Sequence, residues 1–391
     1  MSDQAAPQDA AERIVIPVLS AANFVVGMGA FMVIGMIPPV EEGLGLTTSG
    51  AGWIMTIYAL AYVVASPTLV ALTGRVGRRK VVFTGMSIFA LASFLAAAAP
   101  NATVLFSARA LAAVGAGMMT PVAAAIVAGL VPPERRARSL AAVFFGLPVA
   151  QGFGVPAGSY ISYTFGWRTA FVVVGVLTLP CLWLIWTRVP RGLQFQPVGL
   201  RDLGALLTNG KIMLAVLFTA TFLGAIYVPF TYIAPLLEET MGYGRDGVAL
   251  VLFVFGVAAV VGNVLGGWMA DQIGPGRTLT ILAIAQSILM VFLSFLPLPG
   301  IVFFALLFAW SAAGWSFTAP QQARVIGLAP DRAPVVLSLN AAAIYVGTAA
   351  GAAVGGVVID SIGIMALGIG GGLVGLLAVA NILISRRVSG G

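Results

Sequence analysis

Few side chains in this 391-residue sequence could do acid–base or metal chemistry. The chain has no histidine and a single cysteine, Cys181, which lies in an apolar run. Histidine metal sites, Ser-His-Asp triads, histidine proton relays and an intrachain disulfide are therefore excluded. Arginine keeps its proton under these conditions. We therefore expect a proton carrier, if the protein has one, to be one of the thirteen carboxylates.

A few polar side chains lie inside apolar runs. Arg109 is about six residues into its run, roughly 9 Å deep at the helical rise. A buried guanidinium is costly unless it is paired, so we expect Arg109 to have a function, with snorkelling to the interface as the alternative. Asn23, Gln151, Asn340 and Tyr345 could orient a solute by hydrogen bonds, or could join neighbouring helices.

The composition is that of a membrane protein. Hydrophobic residues make up 60% of the chain and charged residues 8%, with a mean hydropathy of +1.04, whereas soluble domains carry roughly 25% charged residues. The net charge of +7 could suggest a nucleic-acid partner. The basic residues lie in short loops between apolar runs, however, so membrane orientation is the better interpretation and no nucleic-acid partner is expected. We also expect no metal and no cofactor.

Twelve apolar runs are long enough to cross a bilayer as helices, so we predict an all-α integral membrane protein. The runs are 14–40, 49–72, 80–99, 103–131, 139–162, 168–187, 211–234, 247–270, 278–297, 301–325, 335–358 and 366–385. Residues 1–13 are polar and unlike a secretory signal. We interpret them as a cytoplasmic tail.

The distribution of charge between the loops predicts the orientation. With the N-terminus in the cytoplasm, only Arg109, Arg168 and Arg245 of the twenty basic residues fall away from the inner side. Six acids would lie on the outer side: Glu41, Glu42, Glu238, Glu239, Asp246 and Asp360. The positive-inside rule therefore places both termini in the cytoplasm.

The two halves of the chain repeat each other. VALTGRVGRRK at 70–80 corresponds to GWMADQIGPGR at 267–277, an offset of 197, and Pro121 corresponds to Pro320 at 199. Several such matches near one offset indicate duplicated six-helix halves. We predict bundles at 14–187 and 211–385, a cytoplasmic linker at 188–210 and a cytoplasmic tail at 386–391.

These features resemble the major facilitator superfamily over nearly the whole chain, and within it the twelve-helix efflux branch of proton antiporters. The family pattern after the second helix is G-x-L-A-D-R-x-G-R-R. The first copy lacks the first glycine and the aspartate, and the second copy has both. The matching residues are Arg75, Gly77, Arg78 and Arg79, then Gly267, Asp271 and Gly274. The resemblance implies that this turn latches the cytoplasmic gate.

Two further stretches resemble family motifs. LFSARALAAVGAG, with Arg109, resembles the fourth-helix arginine motif. SLAAVFFGLPVAQGFGVPAG, with Gly154, Pro156 and Gly158, resembles the fifth-helix antiporter motif. The strict antiporter pattern has glycine and proline adjacent, whereas Val155 separates them here.

We predict a substrate cavity at the centre of the fold, because aromatic and methionine side chains recur near the middle of helices 1, 2, 4, 7 and 10. Such groups suit an apolar, adaptable cavity, although ordinary helix packing explains any one of them. The predicted cavity residues are Asn23, Phe31, Tyr58, Tyr62, Met118, Met119, Gln151, Tyr227, Trp310, Trp315, Asn340 and Tyr345.

The resemblance implies a secondary active transporter that exports a small amphiphilic or apolar organic solute by alternating access, in exchange for protons. A facilitator or uptake carrier of a polar metabolite is the alternative. A membrane sensor or intramembrane enzyme is a third reading, but the sequence has neither a catalytic constellation nor an appended soluble domain. We expect a monomer in the lipid bilayer of a bacterial inner membrane.

No carboxylate lies near a helix centre, and Ala30 stands where many members of the resembling family carry an acid. Proton coupling would therefore use a carboxylate at a cavity mouth. The candidates are Glu134 and Asp271 on the inner side, and Glu41, Glu42 and Glu238 on the outer side. The absence of proton coupling remains the alternative.

Overall fold

The computed structural model describes residues 5–132, 136–191, 207–330 and 333–389, and these ranges contain helices and no β-strand. Eleven helices in this part of the chain are long and apolar enough to cross a membrane. The predicted fifth crossing is present as four consecutive segments between residues 136 and 165, each too short to count among the eleven. The predicted all-helical membrane architecture is confirmed.

The first half contains spans 1 to 6. Span 1 is Ala5–Phe31, the 3-10 segment Met32–Met36 and Ile37–Leu44; span 2 is Thr48–Leu72; span 3 is Arg78–Ala97; span 4 is Ala102–Leu130; span 5 is Arg136–Phe144, Gly146–Val149, the π-helix Ala150–Gly154 and Val155–Phe165; and span 6 is Trp167–Arg188.

The second half contains spans 7 to 12. Span 7 is Gly210–Phe230 and Ile233–Met241; span 8 is Arg245–Ile273; span 9 is Pro275–Val291 and the 3-10 segment Phe292–Phe295; span 10 is Gly300–Trp315 and Thr318–Leu328; span 11 is Ala333–Ser361; and span 12 is the 3-10 segment Ile364–Ala366 and Leu367–Ser389.

The helices extend beyond the apolar runs at both chain ends. Span 1 begins at Ala5, inside the predicted tail 1–13, and span 12 continues to Ser389, inside the predicted tail 386–391. A helix that is already nucleated adds flanking polar residues readily, so its end need not coincide with the end of the apolar run. Most of the predicted linker, residues 192–206, lies outside the described residues.

Glycine and proline set several helix ends. Gly166 and Gly274, at the turns between spans 5 and 6 and between spans 8 and 9, have φ of 87° and 83°, a region that favours glycine. Span 1 changes helix type before Pro38 and Pro39, and span 7 breaks just after Pro229. Proline lacks an N–H group and interrupts the helical hydrogen-bond ladder at both places.

Span 5 differs from the prediction of one continuous helix over 139–162. Gly154 follows Ser139 by fifteen residues, whereas the corresponding Gly351 of span 11 follows Ser338 by thirteen. Span 11 is a single α-helix, while span 5 is broken at Phe145 and contains the five-residue π-helix. Because a π turn holds one residue more than an α turn, the π-helix and the break together absorb the two extra residues.

The two halves repeat at the level of helix contacts. A Cβ atom built on Gly154 or Gly158 of span 5 would meet span 1, at Met28 and Met32 respectively. A Cβ atom on Gly351 of span 11 would meet span 7 at Gly224 and Tyr227. The glycines of the fifth helix and its counterpart therefore allow close approach to the first helix of their own half, as two related bundles require.

The surface between the two halves, which we call the seam, is closed toward one face of the molecule. The first described residues of span 1 and the last described residues of span 12 lie on one face, which we call the terminal face, and the turns that follow spans 1 and 7 lie on the opposite face. Near the opposite face, a Cβ atom on Gly52 of span 2 would overlap the ring of Tyr232 in span 7. A buried cluster of Ile37, Ala51, Val228, Tyr232 and Leu367 joins the halves there.

Candidate substrate cleft and gate

A small crevice of about 10 Å³, room for about one water molecule, lies in the seam. Spans 1, 5, 7 and 8 supply its walls, so both halves contribute to it. The lining residues are Phe31, Ile34, Gln151, Val155, Phe230, Leu252 and Phe255. None is charged, and Gln151 supplies the polar side chain. The crevice is nearly closed in this state, but once widened by movement of the halves this cleft lining would suit an uncharged, largely apolar solute that makes few hydrogen bonds.

Stacked aromatic rings form one wall of the cleft. The rings of Phe230 and Phe255 are stacked with centroids 4.1 Å apart, and Trp310 packs edge-on against Phe255 at 5.3 Å. Tyr227 lies between Phe31 and Phe230, at 6.5 and 5.8 Å. Aromatic pairs in these geometries hold one another in place. Phe31, Tyr227 and Trp310, all predicted cavity residues, are thus brought together here.

Gln151 reaches the cleft from the π-helix of span 5. The same segment makes a close backbone contact across the seam, because a Cβ atom on Gly256 of span 8 would lie 2.2 Å from the Cα atom of Gly152. On the lipid side of this contact, Phe153 and Phe253 pack edge to face at 5.7 Å. Such π segments are frequent at functional sites. This one places an amide and a close seam contact in adjacent residues.

Three tyrosines meet where spans 2 and 11 cross the seam. Tyr62 and Tyr345 stack with ring centroids 3.8 Å apart, and Tyr58 lies 6.4 Å from Tyr345. The spacing of Tyr58 and Tyr62 on one helix face allows both to approach the same partner. Tyr345 belongs to the other half, so this contact depends on the relative position of the halves.

Arg109 binds the backbone of span 1. Its Nη1 and Nη2 atoms donate hydrogen bonds to the carbonyl oxygens of Gly29 and Ala30, at 2.6 and 2.9 Å. The guanidinium lies 4.4 Å from the ring centroid of Tyr58 and is only 1% exposed. The snorkelling alternative is wrong for this structure, since the side chain turns inward. Arg109 holds span 1 two residues before its α-helix ends at Phe31.

Asn23 and Asn340, two predicted cavity residues, form hydrogen bonds within their own halves. Asn23 donates to the carbonyl oxygen of Val143 in span 5, at 3.1 Å. Asn340 accepts from Thr219 of span 7 at 2.6 Å and from Gln321 of span 10 at 3.2 Å. Both side chains are buried. These contacts match the interhelical alternative, because each amide finds its partner on a neighbouring helix.

The remaining predicted cavity residues pack away from the cleft. Met118 and Met119 lie against span 3, where a Cβ atom on Gly85 would meet both. Trp315 is at the break of span 10 and its Nε1 atom is buried without a partner. These side chains stabilise helix contacts in the state described, as the packing alternative anticipates.

Sequence reasoning missed two buried glutamines of the second half. Gln321 donates to Ala215 O at 2.6 Å, to Thr219 and to Asn340, and so links spans 7, 10 and 11. Gln286 of span 9 is buried beside Gly314, and its amide has no hydrogen-bond partner. The available signal was an amide within an apolar run, which is costly to bury unless it is paired.

The two copies of the predicted gating motif differ in structure. In the first copy, Arg75 is exposed and Arg78 is buried. The guanidinium of Arg79 lies 4.6 Å from the ring centroid of Trp186 and donates a hydrogen bond to the carbonyl oxygen of Trp186 at 3.0 Å. Gly77 has φ of −55° and no close neighbour, so the turn there does not require glycine.

In the second copy, Gly274 has the left-handed φ that does require glycine, and Gly267 lies near Ala319 of span 10. Asp271 is exposed and forms no ion pair with any described residue. The predicted latch is therefore not engaged through Asp271 in this state, as far as the described residues show.

Four carboxylates approach one another on the opposite face. Glu41 and Glu42 end span 1, and Glu238 and Glu239 occupy the same place 197 residues later in span 7. Glu41 interacts electrostatically with Glu239, and Glu238 with Glu41, Glu42 and Glu239. Three of the predicted proton-carrier candidates, Glu41, Glu42 and Glu238, thus belong to one group. Glu134, another candidate, lies outside the described residues.

Glu238 also forms a hydrogen bond across the seam. The hydroxyl group of Tyr163 in span 5 donates to Glu238 Oε1, at 2.5 Å. Glu41 has a different partner, since Thr48 of its own half donates to both carboxylate oxygens. The Glu238 contact joins the two halves on the opposite face, whereas the Glu41 contact does not.

Comparisons with known proteins match this fold. A profile of the Major Facilitator Superfamily matches residues 19–333. The uncharacterized MFS-type transporter YtbD of Bacillus subtilis is 31% identical to this chain over 366 residues, which is 92% of each chain. The chloramphenicol resistance protein of Streptomyces lividans is 29% identical over 85% of this chain and 86% of its own length.

This chain superposes with a TM-score of 0.77 on the solved structure of a bacterial homolog of the human lysosomal transporter Spinster. That structure is in an inward-facing and occupied conformation. The match covers 95% of this chain and 96% of that one, at 16% sequence identity, and so concerns the fold alone. With the sequence profile covering most of the twelve spans, the chain belongs to the major facilitator superfamily of multi-pass membrane transporters.

Proposed function

We propose that this protein exports a small, uncharged, apolar or amphiphilic organic solute by alternating access. The observation that carries the proposal is the seam cleft, with its aromatic walls, its single amide Gln151 and its lack of charged lining residues. A polar metabolite would need several converging hydrogen-bonding groups, which this lining does not offer. Because both halves form the cleft, rocking of one half against the other would expose it to each face in turn.

The outward direction is supported by the relative from Streptomyces lividans, whose name is chloramphenicol resistance protein. The loop charges support an inner-membrane location with the terminal face in the cytoplasm. In this orientation, the seam contacts near the opposite face close the cleft toward the outside. The protein acts as a monomer, since each chain contains both halves of the cleft.

We further propose that proton coupling runs through Glu238. Protonation of this carboxylate removes its charge from the group of four acids, and the neutral acid can still accept the hydroxyl group of Tyr163 across the seam, although more weakly than the carboxylate does. A proton taken up from outside would thus stabilise the closed outer side, and its release toward the cytoplasm would restore the charge and favour reopening through like-charge repulsion. Arg109 supplies a fixed charge deeper in the first half.

The test is flux into and out of proteoliposomes, with radiolabelled chloramphenicol as the first probe and other uncharged aromatic amides after it. An imposed pH gradient should drive solute movement. Glu238→Gln should abolish the dependence on the gradient while leaving exchange of solute intact, because neutral glutamine imitates the protonated acid. Asp360→Asn, which neutralises an exposed acid on the same face but outside the group of four, is the control and should retain the dependence.

Full gradient dependence in Glu238→Gln would exclude this residue as the carrier. A parent protein that moves solute without responding to the gradient would exclude proton coupling. Failure to move any uncharged solute, together with movement of a charged or polyhydroxylated one, would contradict the proposed substrate class.

A further inference from the structure

Two arginines of the second half lie side by side on the terminal face. Arg324, near the end of span 10, donates from Nη2 to the hydroxyl oxygen of Ser385 at 2.6 Å. Arg386, near the end of span 12, donates from Nη1 to the hydroxyl oxygen of Thr280 in span 9 at 3.1 Å. The guanidinium groups are close enough to repel each other. The partners that hold them are neutral hydroxyl groups.

No described carboxylate compensates these two charges. Among the described residues the one ion pair is Arg245 with Asp246, on the opposite face. Asp271, at the end of span 8, is exposed, and Asp331 lies outside the described residues. Nη1 of Arg324 is buried and has no hydrogen-bond partner. A buried cationic donor without a partner is costly, so the cluster would be stabilised by an anion.

The first turn of span 9 adds a third positive element. Span 9 begins at Pro275, and Arg386 lies along Gly276, whose missing side chain leaves room: a Cβ atom there would come within 3.3 to 3.5 Å of Arg386. The N–H groups of Gly276 and Arg277 are those available in this turn, because Pro275 has none and that of Thr278 donates to Gly274 O. N–H groups of a first helical turn carry partial positive charge. Arg277, in the same turn, is exposed.

Apolar side chains border this cluster on the membrane side. Ile281 follows Thr280, and Ile384 precedes Ser385; both are about half exposed, at 48% and 52%. Ile284, one turn further along span 9, is also exposed. The basic cluster is therefore continuous with a surface of the kind that contacts acyl chains, which a free anion would not use.

We propose that the first turn of span 9 and the side chains of Arg324 and Arg386 form a binding site for the phosphate of an anionic phospholipid. The phosphate group would bind between Arg386 and the N–H groups of the first turn, with the charge of Arg324 beneath it, and the acyl chains would lie along Ile281, Ile284 and Ile384. Basic pockets between transmembrane helices bind anionic headgroups in this way. The site does not depend on the transported solute.

The experiment measures thermal unfolding of the purified full-length protein in a neutral detergent, during titration with phosphatidylglycerol, phosphatidylcholine or inorganic phosphate. Phosphatidylglycerol should raise the unfolding temperature, and phosphatidylcholine at equal concentration should not. Arg386→Gln should weaken the apparent affinity for phosphatidylglycerol about fivefold or more, as expected for one basic contact with an anionic lipid. Added salt should weaken it further.

Arg387→Gln is the matched control, because it removes the same charge from the next, exposed residue and should respond like the parent. Arg386→Lys should recover part of the response, which separates loss of charge from loss of folding. Equal responses of Arg386→Gln and Arg387→Gln, or equal stabilisation by both lipids, would overturn the site. If inorganic phosphate raises the unfolding temperature as much as phosphatidylglycerol does, the site binds a free anion and the lipid assignment is overturned.

Discussion

Arg109 illustrates how a single buried charge can organise a membrane protein. Its two Nη atoms bind adjacent carbonyl groups of span 1, and its flat face lies over Tyr58, which in turn approaches Tyr345 of the other half. The arginine thus connects the irregular part of span 1 with the seam. Planar, two-pronged donation of this kind is a property of arginine that lysine does not share.

We expect Arg109→Lys to reduce proteoliposome flux about tenfold or more while the protein still inserts in the membrane. Lysine keeps the charge but would lose one of the two bonds, and a hydrogen bond from a charged group is worth about 1.5–3 kcal/mol. Arg168→Lys is the control, because Arg168 makes one described bond, to Ala99 O at the turn before span 4. Undiminished flux in Arg109→Lys would mean that the paired donation is not required.

At the scale of the element, span 5 determines how closely the halves approach. Its two extra residues relative to span 11 are absorbed by the break at Phe145 and the π-helix, so Gly154 and Gly158 still face span 1. The same π-helix brings Gly152 against Gly256 of span 8 and directs Gln151 to the cleft. Val155, the residue that departs from the strict family motif, comes immediately after this π-helix.

The Gly152–Gly256 contact leads to a conformational prediction. Gly256→Ala places a methyl group against the backbone of span 5, and overpacking of this kind costs about 1–3 kcal/mol. The seam should then open on the opposite face. A cysteine introduced by Ala51→Cys, in a Cys181→Ala background, should react about tenfold faster with an impermeant maleimide in the Gly256→Ala variant than in the protein that keeps Gly256. Gly300→Ala, at a glycine with no close neighbour, should not change the rate. An unchanged rate in Gly256→Ala would exclude the contact as a determinant of closure.

The turn after span 8 leads to a second prediction at this scale. Asp271 is exposed and has no ion-pair partner among the described residues, so we expect it to act in the alternative state, when the terminal face closes. Asp271→Asn should impair flux while changing stability by no more than about 0.5 kcal/mol, as for other surface substitutions. Asp246→Asn, an exposed acid on the opposite face, is the control. Normal flux in Asp271→Asn would show that the second copy of the motif has no gating role.

At the scale of the whole molecule, orientation is the property that determines how the two faces are used. The loop charges predict that the turn at residues 73–77 faces the cytoplasm. In intact cells, Gly77→Cys in a Cys181→Ala background should therefore resist an impermeant thiol reagent, whereas Glu42→Cys should react. The reverse pattern would invert the topology and, with it, the proposed direction of export.

The sequence by itself determined the number of spans, their approximate ends, the duplication and the exclusion of histidine chemistry, because apolar runs, loop charges and repeats are local features of the chain. It also identified Arg109 and Gln151 as unusual. Only the tertiary structure decided which polar side chains meet. Asn23 meets a backbone carbonyl 120 residues away, Asn340 meets Thr219 and Gln321, and Tyr163 meets Glu238. Such meetings depend on the rotation and tilt of each helix, and in a membrane protein the lipid-facing and core-facing sides are both apolar, so hydropathy carries little information about rotation.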